Sequence, residues 1–170
     1  MEDQFQNNEV NNFPDISSVT FTRIEKSYFK VALLSVFSYF LVIVPVLILF
    51  LEKVIRKKEP DFPFYLYILI LLIIVVYMLN LILGFPKRQY VVRDKDLTYK
   101  SGFLTRKMVT VPFSRIQHVE IDEGMFSRLF KLATLSVYTA GDSSDDLEIK
   151  GLTKEKAIQI KEFISSKINE

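Results

Sequence analysis

Two stretches of this chain, Val31 to Leu51 and Phe64 to Phe85, contain no Asp, Glu, Lys or Arg, and no other feature restricts the possible folds as tightly. At 1.5 Å of rise per residue, either run extends about 32 Å as a helix, close to the thickness of a bilayer's hydrocarbon core. Leu, Ile, Val and Phe dominate both, each worth about −0.3 to −0.6 kcal/mol on insertion near the bilayer centre. A soluble protein would have to cover two such helices on every face, which needs more chain than 170 residues supply. The sequence therefore predicts two transmembrane helices, 31–51 and 64–85.

The rest of the chain is densely charged, which is how 49% hydrophobic and 25% charged residues coexist. The connector Glu52 to Asp61 is short, so the two runs should form a tight antiparallel hairpin with both chain ends on one side. Arg23, Lys26, Lys30, Lys87, Arg88, Arg93, Lys95 and Lys100 flank the outer ends and outnumber Lys53, Arg56, Lys57 and Lys58 of the connector. By the positive-inside rule both ends are then cytoplasmic. A net charge of +2 is too mild to argue for a nucleic-acid partner. Without cysteine there is neither a disulfide framework nor a thiolate metal site, and no cofactor is expected.

Residues 1–15, rich in Asn, Gln and acids, cannot repay the entropy of ordering and are expected to form a disordered tail. The first apolar run starts too late and runs too long for a cleaved signal peptide, so it should remain as an anchor. Residues 16–30 form a juxtamembrane segment in which Val19, Phe21, Ile24, Tyr28 and Phe29 alternate with cations. Two readings fit it: an interfacial lead-in, or a polar flank with its aromatics in the headgroup belt. Within the spans, Pro45 removes one backbone donor, and Asn80 either bonds across to the first helix or lies near the interface.

From residue 86 to 170 the period changes to alternation of apolar and polar residues, which predicts strands near Gln89–Arg93, Leu97–Phe103, Arg106–Phe113, Ile116–Ile121, Leu135–Thr139 and Asp146–Lys150. The inward sets are Leu97, Tyr99, Phe103; Val109, Val111, Phe113; Val119, Ile121; Leu135, Val137; and Leu147, Ile149. Asp94-Lys95-Asp96 and the stretch from Ala140 to Ser144 carry turn chemistry. A closing helix is predicted with Thr153 as N-cap, Glu155 in its first turn, and Ala157, Ile160, Phe163, Ile164 and Ile168 on one face. The fold class is thus α+β: a two-helix transmembrane hairpin, then a pleckstrin-homology-like β-barrel or sandwich with a C-terminal helix. Only Pro86 and Lys87 separate the second run from the first strand, and two residues reach at most about 7 Å. The domain must sit against the bilayer.

Three motifs sharpen this: Val111-Pro112-Phe113-Ser114-Arg115-Ile116-Gln117-His118-Val119-Glu120, Gly124 through Leu135, and Val137-Tyr138-Thr139-Ala140-Gly141. Together they resemble the bacterial PH domain of YdbS-like membrane proteins, and the resemblance extends over about residues 20 to 168. It implies a PH-like fold and a bacterial plasma membrane location, without assigning a biochemical role.

A catalytic set is not apparent. His118 is the single histidine and alternation turns it away from Val119 and Ile121, while Asp142, Asp145 and Asp146 lack the remaining features of a calcium loop. An enzyme or a transporter built on the hairpin is disfavoured, because the spans hold almost no polar groups. Two surfaces remain. Lys100, Arg106 and Lys107 are candidates for binding anionic headgroups, or are merely solubilising turn charges; the acidic turn Asp94-Lys95-Asp96 would repel phosphate. Met125, Phe126, Arg128, Leu129 and Phe130 either dip into the interface or dock a partner, or they form a short helix covering the barrel end. The expected role is a membrane-anchored interaction or scaffold module, with anionic-lipid sensing as the alternative. The expected partners are membrane lipids, a membrane protein, or another copy of the chain.

Overall fold

A computed structural model describes residues 19–50, 52–53, 62–140 and 146–168. The predicted tail, most of the connector and the turn after Ala140 lie outside the described residues. Helices α1 (Tyr28–Phe50) and α2 (Phe62–Gly84) are both long and apolar enough to cross a membrane, and α1 continues through Pro45. They run antiparallel. Phe29 meets Phe85 edge to face at 5.2 Å at one end, Phe40 meets Tyr77 midway, and Tyr67 Oη donates to Glu52 Oε1 at 2.8 Å toward the other end.

Among the described residues seven strands make two antiparallel sheets. The first has the order β1 (Thr22–Arg23), β2 (Gln89–Val92), β3 (Asp96–Ser101), β4 (Lys107–Pro112), and the second β5 (Ile116–Asp122), β6 (Leu132–Thr139), β7 (Leu147–Thr153). A short helix α3 (Met125–Leu129) links β5 to β6, and α4 (Lys154–Ile168) closes the domain by packing on the second sheet. The core lies between the sheets and under α4, with Leu97, Leu135, Ile149, Ala157 and Ile164 fully buried. Cross-strand order is set by alternation: Leu97 faces Val111, and Thr98 faces Thr110 with their hydroxyls 2.9 Å apart.

Strand β1 precedes the helix pair in the chain, yet Thr22 pairs with Tyr90 and Arg23 with Gln89. The two apolar helices are therefore inserted between the first and second strands of one sheet. Ile24, grouped by the sequence with the membrane flank, is instead 5% exposed within the domain core. That segment belongs to the domain because its backbone completes a sheet edge and its one aliphatic inward residue fills the space behind it.

Other differences have local causes. Phe103 is predicted inward on a strand, but β3 stops at Ser101 because Gly102 adopts φ +93°, and Phe103 turns out beside the last turn of α2. Strand β6 starts at Leu132 rather than Leu135, since Leu132 and Ala133 are both buried and break the alternation. Strand β7 runs on to Thr153 through a bulge in which Gly151, at φ +84°, is the extra residue between the Thr134–Lys150 and Ala133–Leu152 pairs. Thr153 caps α4 as predicted, its Oγ1 accepting from Lys156 N–H at 3.2 Å. Ala157, Ile160 and Ile164 form the buried stripe, whereas Phe163 and Ile168 stay at its exposed edge.

Candidate functional site

The end of α2, a 3-10 turn (Phe85–Lys87) and the start of β2 follow one another without a linker, so the domain end that holds Gln89, Lys100 and the β3–β4 turn faces the helix pair. Here Lys87, Gln89, Lys100, Ser101, Gly102, Arg106, Lys107 and Met108 line a groove of about 480 Å³. All three sequence candidates, Lys100, Arg106 and Lys107, thus come together, and Lys87 joins them. Four cations surround the groove, and among the described residues no carboxylate lines it.

Local geometry holds this arrangement. Lys100 lies on β3 between Gln89 and Met108, and its Nζ stands 3.5 Å from the centroid of the Phe21 ring, a cation–π contact supplied by the segment before β1. The turn bearing Arg106 is closed by Gly102, where a Cβ would run into the Thr105 carbonyl oxygen. The acidic turn Asp94–Asp96 sits at the opposite end of β2 and β3, where Asp96 is engaged by Arg93 at 2.7 Å. Its repulsion does not act on the groove.

A second cleft, of about 420 Å³, opens on the other side of Ser101 and Gly102 and reaches α2 itself: Tyr77, Asn80 and Leu81 line it together with Arg88, Tyr99, Glu148 and Lys150. Asn80 is placed here, at the junction of helix and domain. Glu148 accepts from Lys150 at 2.8 Å, and this hydrogen bond holds the ammonium above its ordinary range. Tyr99 is pushed up by burial. The sequence points to neither Lys87 nor the Arg88–Lys150 neighbourhood as a site. For Lys87 the signal is present, a cation directly after an apolar span, whereas Lys150, on the second sheet, comes close to Arg88, at the start of the first, only through the packing of the two sheets.

Among the described residues no three His, Asp or Glu side chains converge as metal ligands would. His118 is exposed and stacks on Tyr138 at 4.4 Å. The arrangement offers charge and hydrogen bonding to an anion.

The model of the bacterial PH domain matches residues 30–168, spanning both helices and β2 through α4. The chain belongs to the bacterial PH-domain family. Over 77 residues this PH-domain protein is 30% identical to the UPF0699 transmembrane protein YdbS of Bacillus subtilis, covering 45% of this chain and 46% of that one. Over 74 residues it is 26% identical to the UPF0699 transmembrane protein YdbT of the same organism, covering 44% of this chain and 15% of that one. The matched stretch is thus less than half of either relative. A crystal structure of a DUF1696 family protein with a pleckstrin-homology domain from Shewanella loihica shares 20% identity, covers 48% of this chain and 70% of that one, and superposes with a TM-score of 0.37.

In this PH-domain protein the second candidate segment divides by face. Helix α3 packs against α1 and β6. Phe126 and Phe130 are half-buried, whereas Met125, Arg128 and Leu129 are exposed. Half-burial of Phe126 and Phe130 and exposure of Met125, Arg128 and Leu129 thus fall on different residues of the same turn.

Proposed function

We propose that this chain is a non-catalytic membrane module of the bacterial plasma membrane. In this reading α1 and α2 cross as an antiparallel pair, the PH-like domain lies on the cytoplasmic side, and the groove of Lys87, Lys100, Arg106 and Lys107 holds the phosphate of an anionic lipid headgroup. The observation that carries it is the gathering of four cations, with no carboxylate among the described residues, around one groove beside the end of an apolar helix. Each Lys or Arg near an anionic bilayer surface is worth about 1 kcal/mol, so four act together where one would be marginal. Lipid binding, the alternative at the sequence level, thus gains over docking of a protein.

The test is native mass spectrometry of the full-length protein released from nanodiscs containing phosphatidylglycerol and phosphatidylcholine in equal amounts. Preferential retention of phosphatidylglycerol, weakened by salt and removed by K100Q/R106Q/K107Q, supports the reading. Equal retention of both lipids at every salt concentration defeats it.

A scaffold role has its own observation. At the domain end away from the helices, Asp94, Lys95, Phe113, Ile116, Phe163 and Ile168 border an open cleft of about 760 Å³ with aromatic walls and mixed charge. Crosslinking in the native membrane, followed by mass spectrometry, tests it: a partner protein or a second copy linked through Lys95 or Lys167 supports docking there.

A further inference from the structure

Leu104, Met125 and Leu129 are 73%, 74% and 72% exposed, and among the described residues no large apolar side chains outside α1 and α2 are more open. They are far apart in sequence, on a hairpin tip and on a five-residue helix. Both elements nevertheless rest on the helix pair. Phe103, next to Leu104, lies on the last turn of α2, where a Cβ on Gly84 would stand 3.6 Å from Phe103 Cβ, and α3 packs against α1.

We infer that these side chains are two apolar prongs, one beside each helix, by which the domain dips into the bilayer. Continuity argues for lipid as the occupant: each prong extends the lipid-facing surface of the helix it touches. Charge agrees. Arg106 and Lys107 follow Leu104, and Arg128 and Lys131 bracket Leu129, so each prong carries cations able to reach the phosphate layer while the apolar group sinks below it. Met125 and Leu129 are not the buried side of this turn: α3 packs on α1 and β6, and the turn's half-buried aromatics are Phe126 and Phe130. With contacts beside both α1 and α2, the domain is held against tilting, which neither helix alone would achieve.

The inference rests on the membrane orientation proposed above, but not on the groove's binding an anionic lipid. Because the chain has no cysteine, L104C, M125C, L129C and a control on α4, E162C, each accept a single NBD fluorophore in the full-length protein. The proteins are reconstituted in phosphatidylcholine vesicles with and without phosphatidylglycerol. The expected result is blue-shifted emission at the three prong positions, quenched by nitroxide carried on the lipid chains and not by aqueous iodide, in both compositions, with the reverse at position 162. Iodide quenching at the prongs like that of the control overturns the inference, and so does shielding from both quenchers, which means that protein covers them. A second measurement does not depend on labels. L104S/M125S/L129S should leave melting in detergent unchanged while speeding tryptic cleavage after Arg106 and Arg128 in vesicles; unchanged cleavage counts against the prongs. Lipid quenching at the prongs without any phosphatidylglycerol preference would refute the groove alone, and the opposite pair of results would refute the prongs alone.

Discussion

The ring of Tyr28, the first residue of α1, lies against Gly151 in the bulge of β7, so closely that a Cβ on Gly151 would stand 2.5 Å from Tyr28 Cγ. The Gly151 carbonyl also accepts from Glu25 N–H at 2.9 Å. This point couples the start of an apolar helix to the second sheet, and it demands glycine twice, for its φ of +84° and for the space. Gly151→Ala should therefore cost about 1–3 kcal/mol from backbone strain alone, with the clash added. Thermal melting of the detergent-solubilised chain reads the loss, and Tyr28→Ala in the same background should recover only the clash portion.

Insertion of the helix pair between β1 and β2 has a consequence for truncation. A fragment of residues 86–170 lacks both β1 and the core side chain of Ile24. Deleting a buried Ile side chain costs about 2–5 kcal/mol, a large share of a small domain's stability. The fragment should melt far lower than a chain in which residues 19–26 are joined by a short Gly-Ser linker to residues 87–170. Circular dichroism of the two proteins makes the comparison.

Phe163 provides a magnitude that separates edge from core. Buried as the helical spacing predicts, its replacement by Ala would cost about 3–5 kcal/mol. In the structure it is half open and touches Phe113 edge to face at 6.0 Å, so Phe163→Ala should cost only about 1 kcal/mol, measured by the same melts.

Alkaline pH should unfold the domain. Burial is the first cause that raises the phenols of Tyr90 and Tyr99, with the Glu25 carboxylate adding at Tyr90. A folded-state pKa above the unfolded value means that the unfolded chain releases these protons first. Their contribution is thus complete below pH 10 and is lost as pH rises from there through the folded values. Phenolate absorbance followed with circular dichroism should show these two tyrosines ionising together with unfolding, and Y90F/Y99F should move the transition to higher pH.

The apolar helices, the strand alternation at Leu97–Tyr99, Val109–Val111 and Val119–Ile121 and the Thr153 cap are all legible in the sequence, because each rests on a local period or a local hydrogen bond. Strand β1 is not. Two residues carry no period, and its partner lies beyond both helices. Lys100, Arg106 and Lys107 are legible as a cluster because one hairpin holds them, whereas Lys87 joins through the fold of the junction and Phe21 through the paired edge. The division of α3 into seated aromatics and an open Met125–Leu129 pair depends on how α1 packs, which no spacing within α3 encodes.

The pairing of Arg23 with Gln89 across the helix pair underlies the whole arrangement, since it makes one unit of the two apolar helices and the domain. Facing residues in an antiparallel ladder have Cα atoms about 4.5–5.5 Å apart, within disulfide range. In the intact chain, R23C/Q89C should oxidise to an intramolecular disulfide seen as a reducible mobility shift, while R23C/K95C, with Lys95 in the turn beyond the far end of β2, should not. No crosslink in the first pair, or equal crosslinking in both, would contradict the interrupted sheet.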